Sequence, residues 1–362
     1  MMEKREKISY LESLRGIAAL MVAISHFRID SFIYQNQFVG NSYLWVDFFF
    51  VLSGFVIALN YQFNIKNLRD LYVFQAKRFL RLYPLHFITL LIFLGLECAE
   101  YFKELILDDT GIASAFSRNS FEAFAHNFFL THNIFLRDVS WNYPSWSISA
   151  EFYTYFLFGL IILFSRGSIF FLISISIFLV SISFIILLNT SMDTSMGVVR
   201  CLLSFFLGVI IFNINKLSSF KIPAFFSYVI FIFTLFGIYF SGPSETISFN
   251  ILMPIIFSAL IFSLLRSEAN NGLIKILSIN SLIFLGAISY SIYMIHALLW
   301  RLISIFVRYV GKIEGSEELA MISNNEFLSG IILISSVVIL ILASTFSFKF
   351  IELKYNEYRK YL

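Results

Sequence analysis

Cysteine is nearly missing from this chain, and so is charge. Cys98 and Cys201 are the only cysteines in 362 residues, and neither lies near a second cysteine or a histidine at metal-ligand spacing. A disulfide framework and a zinc site are therefore not expected, and both residues read as packing side chains. Charged residues make up 14% of the sequence, against about 25% in soluble domains. Hydrophobic residues make up 59%, and the mean hydropathy is +0.82. This is the composition of an all-α polytopic membrane protein. A net charge of +3 carries no nucleic-acid footprint. No internal repeat of fixed period and no low-complexity linker divides the chain, so residues 1–362 read as one membrane domain. Tryptophan is scarce, at four residues against forty-six phenylalanines, which points to lipid-facing surface and not to an aromatic ligand cage. A cleaved secretory leader is also not expected. Arg15 and Gly16 interrupt the first apolar stretch near its start, and only Ile24-Ser25-His26-Phe27 follows it, with no small-x-small site.

Windows of about 20 residues, the length that crosses a bilayer, predict ten helices over 11–28, 43–62, 79–97, 147–165, 168–189, 196–214, 223–241, 247–265, 282–309 and 327–351. With a cytoplasmic N-terminus, the inside segments hold most of the Lys and Arg, among them Lys4, Arg5, Lys7, Lys77, Arg78, Arg81, Lys216, Lys275, Lys354 and Arg359. The outside loops carry Glu100, Glu104, Asp108, Asp109, Glu314, Glu317 and Glu318 instead. This bias puts both termini in the cytoplasm, which requires an even number of spans. The longest stretch between spans, 98–146, is then an extracytoplasmic loop. Within it Phe121 to Phe135 is either an amphipathic interfacial segment or an ordered loop that seals the outer face. His126 and His132 are six residues apart, so they do not share a helix face and form no metal pair.

Ionisable residues inside a bilayer are costly and read first as functional. At about 1.5 Å per helical residue, Arg15 lies at the inner boundary and His26 close to the outer surface. Asp47, Glu151 and His296, from the second, fourth and ninth spans, reach a similar outer level. Arg78 and Arg81 sit at the cytoplasmic mouth beside Arg15. Three arginines at one mouth suit phosphates, which they bind by bidentate, charge-assisted hydrogen bonds. A histidine with carboxylate neighbours suits proton removal from a hydroxyl at the other.

Five strings carry a resemblance: Leu14-Arg15-Gly16-Ile-Ala-Ala with Ser25-His26; Val46-Asp47-Phe-Phe-Phe-Val-Leu-Ser53-Gly54-Phe55; Lys77-Arg78-Phe-Leu-Arg81-Leu-Tyr-Pro84; Pro144-Ser-Trp146-Ser147-Ile-Ser-Ala-Glu151-Phe-Tyr153; and Ile288-Ser289-Tyr290-Ser-Ile-Tyr293-Met-Ile-His296. In this order and within a ten-helix frame, the chain resembles the acyltransferase family 3 membrane acyltransferases from about Tyr10 to its last helix. The resemblance implies transfer of an acyl group, usually acetyl, from cytoplasmic acyl-CoA to a hydroxyl of a carbohydrate or lipid-linked glycan outside, in a bacterial inner (plasma) membrane. It matches Arg15 and His26 to the family's essential first-helix pair, and Arg78 and Arg81 to its Arg-x-x-Arg at the donor entrance. Some members append an esterase-like domain; this chain resembles the stand-alone type.

The expected catalytic residues are His26, Glu151, Asp47 and His296. The expected donor-binding residues are Arg15, Arg78 and Arg81, and the expected substrate-binding residues are Trp146, Ser147 and Tyr153. Several have a plainer alternative, and His26 could be an interfacial histidine hydrogen-bonded to a loop. Arg15 could snorkel to lipid phosphate, Asp47 could serve the dipole of its helix, and His296 could bond between helices. Arg78 and Arg81 could only set orientation, and the Ser53-Gly54 pair could serve ordinary helix packing. Arg200 and Arg301 read as interface or headgroup contacts. A different class of function also fits the buried charges, a secondary transporter or glycan flippase with a proton relay; against it, no pair of interrupted helices suggests inverted repeats.

Overall fold

A computed structural model describes residues 9–27, 29, 31, 33–107, 114–190, 193–242, 249–268, 270–311 and 326–358. Several charges used for orientation, including Lys4, Arg5, Lys7, Asp108, Asp109, Glu314, Glu317, Glu318 and Arg359, lie outside the described residues. Among the described residues regular structure is helical, apart from one isolated bridge between Ile222 and Ser267.

The main helices are α1 (Ser9–Ser25), α2 (Trp45–Tyr61), α3 (Leu68–Leu107), α4 (Phe121–Phe128), α5 (Trp146–Ser165), α6 (Ile169–Leu188), α7 (Gly197–Leu217), α8 (Ala224–Phe240), α9 (Met253–Arg266), α10 (Gly272–Leu277), α11 (Asn280–Ala287), α12 (Ser289–Gly311) and α13 (Glu326–Ser347). A helix stands at each of the ten expected spans. Eight helical stretches of the described residues are long and apolar enough to cross a membrane. The helices at the first and seventh spans, α1 and α8, have 17 residues each. The chain is a polytopic, all-α integral membrane protein.

Two spans differ from their expected form. The third is the middle of a 40-residue helix that rises about 60 Å, twice the hydrocarbon thickness, so α3 is longer than one crossing requires. The ninth is two helices, α11 and α12, parted at Ile288, whose φ of −91° and ψ of 4° leave the helical region.

Apolar side chains divide between lipid and core. Phe164, Phe170 and Phe225 expose 72%, 83% and 68% of their surface, as expected of lipid-facing residues. Phe48, Phe50, Phe158, Phe205, Phe206 and Phe257 are instead fully buried, with Trp45, in the core between α2, α5, α7 and α9, so phenylalanine also builds the interior. Cys201 is buried and Cys98 half-buried, both as free thiols.

Two close approaches set the framework. A Cβ on Gly54 would lie 1.9 Å from Phe205 O, and one on Gly208 2.0 Å from Val51 O, so α2 and α7 touch backbone to backbone. Likewise a Cβ on Gly16 would lie 2.5 Å from Gly286 N, and one on Gly286 2.1 Å from Glu12 O, which seats α1 directly on α11. That second contact brings Arg15 to the α11–α12 break. In the 98–146 stretch, Ser120 Oγ caps α4 by accepting from Ala123 N at 3.2 Å, and α4 buries Ala123 and Asn127 while exposing Phe121 and Phe128.

Candidate active site

α1 and α12 hold the site together at two points. Near the start of α1, Arg15 donates from Nε to Ser289 Oγ (2.9 Å) and from Nη2 to Gly286 O (3.0 Å). Gly286 and the residue after the helix break are thus read by one guanidinium. A planar fork with donors in fixed directions suits that geometry better than an ammonium. Beyond the far end of α1, His26 Nδ1 lies 3.0 Å from His296 Nε2. The end of α1 is fixed there by Trp300 Nε1, which donates to Ala23 O at 2.8 Å and so satisfies a carbonyl at the helix terminus. His26 itself falls one residue past α1, in a turn. Ser289 and His296 are seven residues apart on α12, two turns and about 10 Å. One face of α12 therefore receives both Arg15 and His26.

The tautomers of the histidine pair follow from the partners. His296 Nδ1 lies 3.2 Å from Ile292 O, and a carbonyl only accepts, so Nδ1 carries the hydrogen. Neutral imidazole then keeps its lone pair on Nε2, which accepts from His26 Nδ1. The lone pair of His26 is consequently on Nε2. Tyr143 stands edge-on to His26, with ring centroids 5.0 Å apart, and Tyr293 flanks His296 at 5.8 Å. The sequence argument missed Tyr143, although it directly precedes the Pro144-Ser-Trp string.

The carboxylates do not join His26. Asp47 is fully buried and paired to Arg200, with Oδ2 at 2.7 Å from Nη2 and Oδ1 at 3.4 Å from both Nε and Ser204 Oγ. Arg200 is 2% exposed and stacks over Trp146 at 5.2 Å; it is an internal ion-pair partner and not a headgroup contact. Arg301 likewise pairs with Glu97, at 2.8 Å. Glu151 accepts from Tyr155 Oη at 2.5 Å, and Tyr155 also meets Ser53 Oγ at 2.7 Å. Its charged neighbours are Arg78 and Arg81, so it belongs electrostatically to the arginine group. Counting residues along separate helices fixes neither their azimuth nor their relative offset, which is why Asp47 and Glu151 were expected beside His26 and instead face Arg200 and the arginine group.

Arg78 donates to Tyr61 Oη at 3.0 Å and lies over that ring at 5.1 Å, and Arg81 lies 6.0 Å over the ring of Tyr290. Among the described residues, Arg15, Arg78 and Arg81 have no carboxylate within 4 Å. Arg15 and Arg78 donate to neutral partners, and Arg81 faces the neutral ring of Tyr290. Pro84, inside α3, removes a backbone donor one turn further on, and the Tyr290 hydroxyl donates to the nearby Leu82 carbonyl. Of the expected substrate contacts, Ser147 Oγ bonds Tyr293 Oη at 2.7 Å, two side chains from His296. Trp146 is taken up by Arg200, and the Tyr153 hydroxyl donates to Phe129 O at 3.3 Å on the periphery.

The remaining histidines form a second cluster. His86 Nε2 bonds Asn127 O at 2.9 Å, and the ring of His132 lies 5.9 Å from it, nearly parallel, with Ser145 Oγ at 3.3 Å from its Nε2. Burial, reinforced by the neighbouring His86, pushes His132 down to about 3. It stays neutral at any physiological pH. His126 bonds Thr131 Oγ1 at 2.9 Å. Among the described residues, no group of three His, Cys, Asp or Glu side chains is arranged to hold a metal ion.

The sequence pattern of the family described as an acyltransferase domain matches residues 8–348. The chain belongs to acyltransferase family 3. The family match spans both the arginine group and the histidine pair. A relative named protein 2 in picA locus, from Rhizobium radiobacter, is 39% identical over 93 residues, covering 24% of this chain and 43% of the relative. The match thus spans less than half of that relative's length. No solved structure matches the family 3 chain described here.

Proposed function

We propose that this acyltransferase moves an acyl group, acetyl in the simplest case, from cytoplasmic acyl-CoA to a hydroxyl of a carbohydrate or lipid-linked glycan on the extracytoplasmic side of a bacterial inner membrane. The observation that carries the reading is that Arg15 and His26 bond the same helix two turns apart, through Ser289 and His296. An anion-binding end and a basic end are thereby held in fixed register. In this reading both termini are cytoplasmic, as the distribution of Lys and Arg supports. CoA phosphates bind at Arg78 and Arg81, with Arg15 completing the group, because guanidiniums with neutral partners keep their charge for a ligand. The pantetheine arm then spans toward His26.

His26 acts as general base through Nε2. It takes the proton of the acceptor hydroxyl while that oxygen attacks the thioester carbonyl. The C–S bond breaks, and the imidazolium returns the proton to the leaving CoA thiolate. His296, with its Nδ1 hydrogen on Ile292 O, holds His26 in the required tautomer. The flanking Tyr143 and Ser147 would face the acceptor, while Glu151, tied to Tyr155, lies nearer the donor path than the base. Transfer of radiolabelled acetyl in membrane vesicles tests this. His26→Ala should lose transfer by at least about 1,000-fold while still binding CoA, and full activity in that variant would exclude the reading.

A further inference from the structure

The last helix brings a carboxylate to the arginine group, and the reaction as written does not use it. Glu352 is 6% exposed and lies in a π-helical stretch, Phe348–Glu352, that follows α13. Such single-turn irregularities re-aim a side chain and often occur at functional sites. Its Oε1 accepts from Ser291 Oγ at 2.5 Å, and its buried Oε2 has no hydrogen-bond partner among the described residues. Glu352 lines a small cavity together with Arg81, Pro84 and Tyr355. The irregular turn of the last helix therefore faces the proline turn of α3. Arg15 and Tyr290 are also within electrostatic range of this carboxylate. Ser289 and Ser291, two residues apart on α12, thus hold opposite charges, the first by Arg15 and the second by Glu352.

A buried carboxylate that touches no guanidinium within 4 Å among the described residues is not an ordinary salt-bridge partner. It acts across the cavity. We infer that Glu352 is the resident counter-charge of the arginine group: it offsets the repulsion among Arg15, Arg78 and Arg81 when the site is empty, and it weakens the hold on a phosphate-bearing ligand so that spent CoA leaves. This rests on the reading of the arginine end as the acyl-CoA site. The sign follows from Coulomb's law, because a negative charge beside an anion site lowers anion affinity. Glu352 is a positioning and affinity-setting residue and takes no part in the bond changes.

The test is CoA binding by calorimetry on detergent-purified full chain, with steady-state transfer measured alongside. Glu352→Gln keeps the shape and the Ser291 hydrogen bond but removes the charge. It should tighten CoA about tenfold, lower the KM for acyl-CoA, and lower kcat where CoA release limits turnover. Glu352→Asp, which keeps the charge, should stay within about threefold of the parent protein and controls for a folding defect. Unchanged or weaker CoA binding in Glu352→Gln, with Arg81→Ala still weakening it, overturns this inference alone. Unchanged CoA binding in Arg81→Ala overturns the donor-site reading beneath it.

Discussion

Arg15, Arg78 and Arg81 on one side, and Arg200 and Arg301 on the other, have the same side chain in the same bundle and are held in opposite ways. Arg15 bonds a serine hydroxyl and a carbonyl, Arg78 bonds a tyrosine hydroxyl, and Arg81 lies over a tyrosine ring. The other two sit on Asp47 and Glu97 at 2.7 and 2.8 Å. A guanidinium that already faces a carboxylate has little charge left for a ligand, and its role is internal. One with neutral hydrogen-bond partners keeps its charge for a ligand, as the proposed donor site requires. The histidines divide similarly: His26 and His296 lie on the line from the arginine group, whereas His86 and His132 are locked to Asn127 and Ser145 beneath α4.

The comparison can be broken first at Arg200. Arg200→Ala would leave Asp47 buried and unpaired, which costs about 3–5 kcal/mol. Thermal unfolding in detergent should show the largest loss of stability in the bundle, and the double variant Arg200→Leu/Asp47→Leu should recover part of it. If the single variant unfolds like the parent, the ion pair is not an internal strut. A smaller effect, confined to rate, is expected at His296. His296→Leu cannot accept from His26 Nδ1 and should lower kcat about 10- to 100-fold with CoA affinity unchanged. His296→Gln, whose amide oxygen can accept, should retain most of it. Equal rates in the two variants would show that His296 does not set the tautomer.

The smallest effect concerns His132. Its value near 3 in the folded protein lies below the ordinary 6.5, so between these pH values the unfolded chain binds a proton that the folded chain does not. Stability is therefore full above about 6.5 and declines as pH falls toward 3. His132→Gln should flatten that acid limb, reducing the difference in melting temperature between pH 7.5 and pH 5 by a few degrees. An unchanged difference would mean that His132 is not the group responsible.

Much of the fold was legible because a bilayer imposes a length and a polarity on each helix. The ten apolar windows were visible for that reason, and so were Arg15 in α1 and His26 just past its end as the conspicuous residues of the first apolar segment. Contacts across sequence were not legible. Nothing in the order of residues places Arg200 on Asp47, 153 positions away, or turns Glu151 toward Tyr155 and away from His26. Ser289 lay inside a string singled out for its histidine, but its role depends on the break at Ile288 and on Gly16 meeting Gly286. Glu352 gave no signal beyond being a charge at the end of an apolar run, since a π-helical turn is set by packing and not by composition.

The separation of binding from chemistry can be tested most directly by titrating CoA into detergent-purified protein carrying either Arg78→Ala/Arg81→Ala or His26→Ala. The arginine variant should lose about 10- to 100-fold in affinity, and the histidine variant should bind as the parent does while transferring no acyl group. Parent-like CoA affinity in the arginine variant, or loss of CoA affinity in the histidine variant, would contradict a donor site at one end and a base at the other.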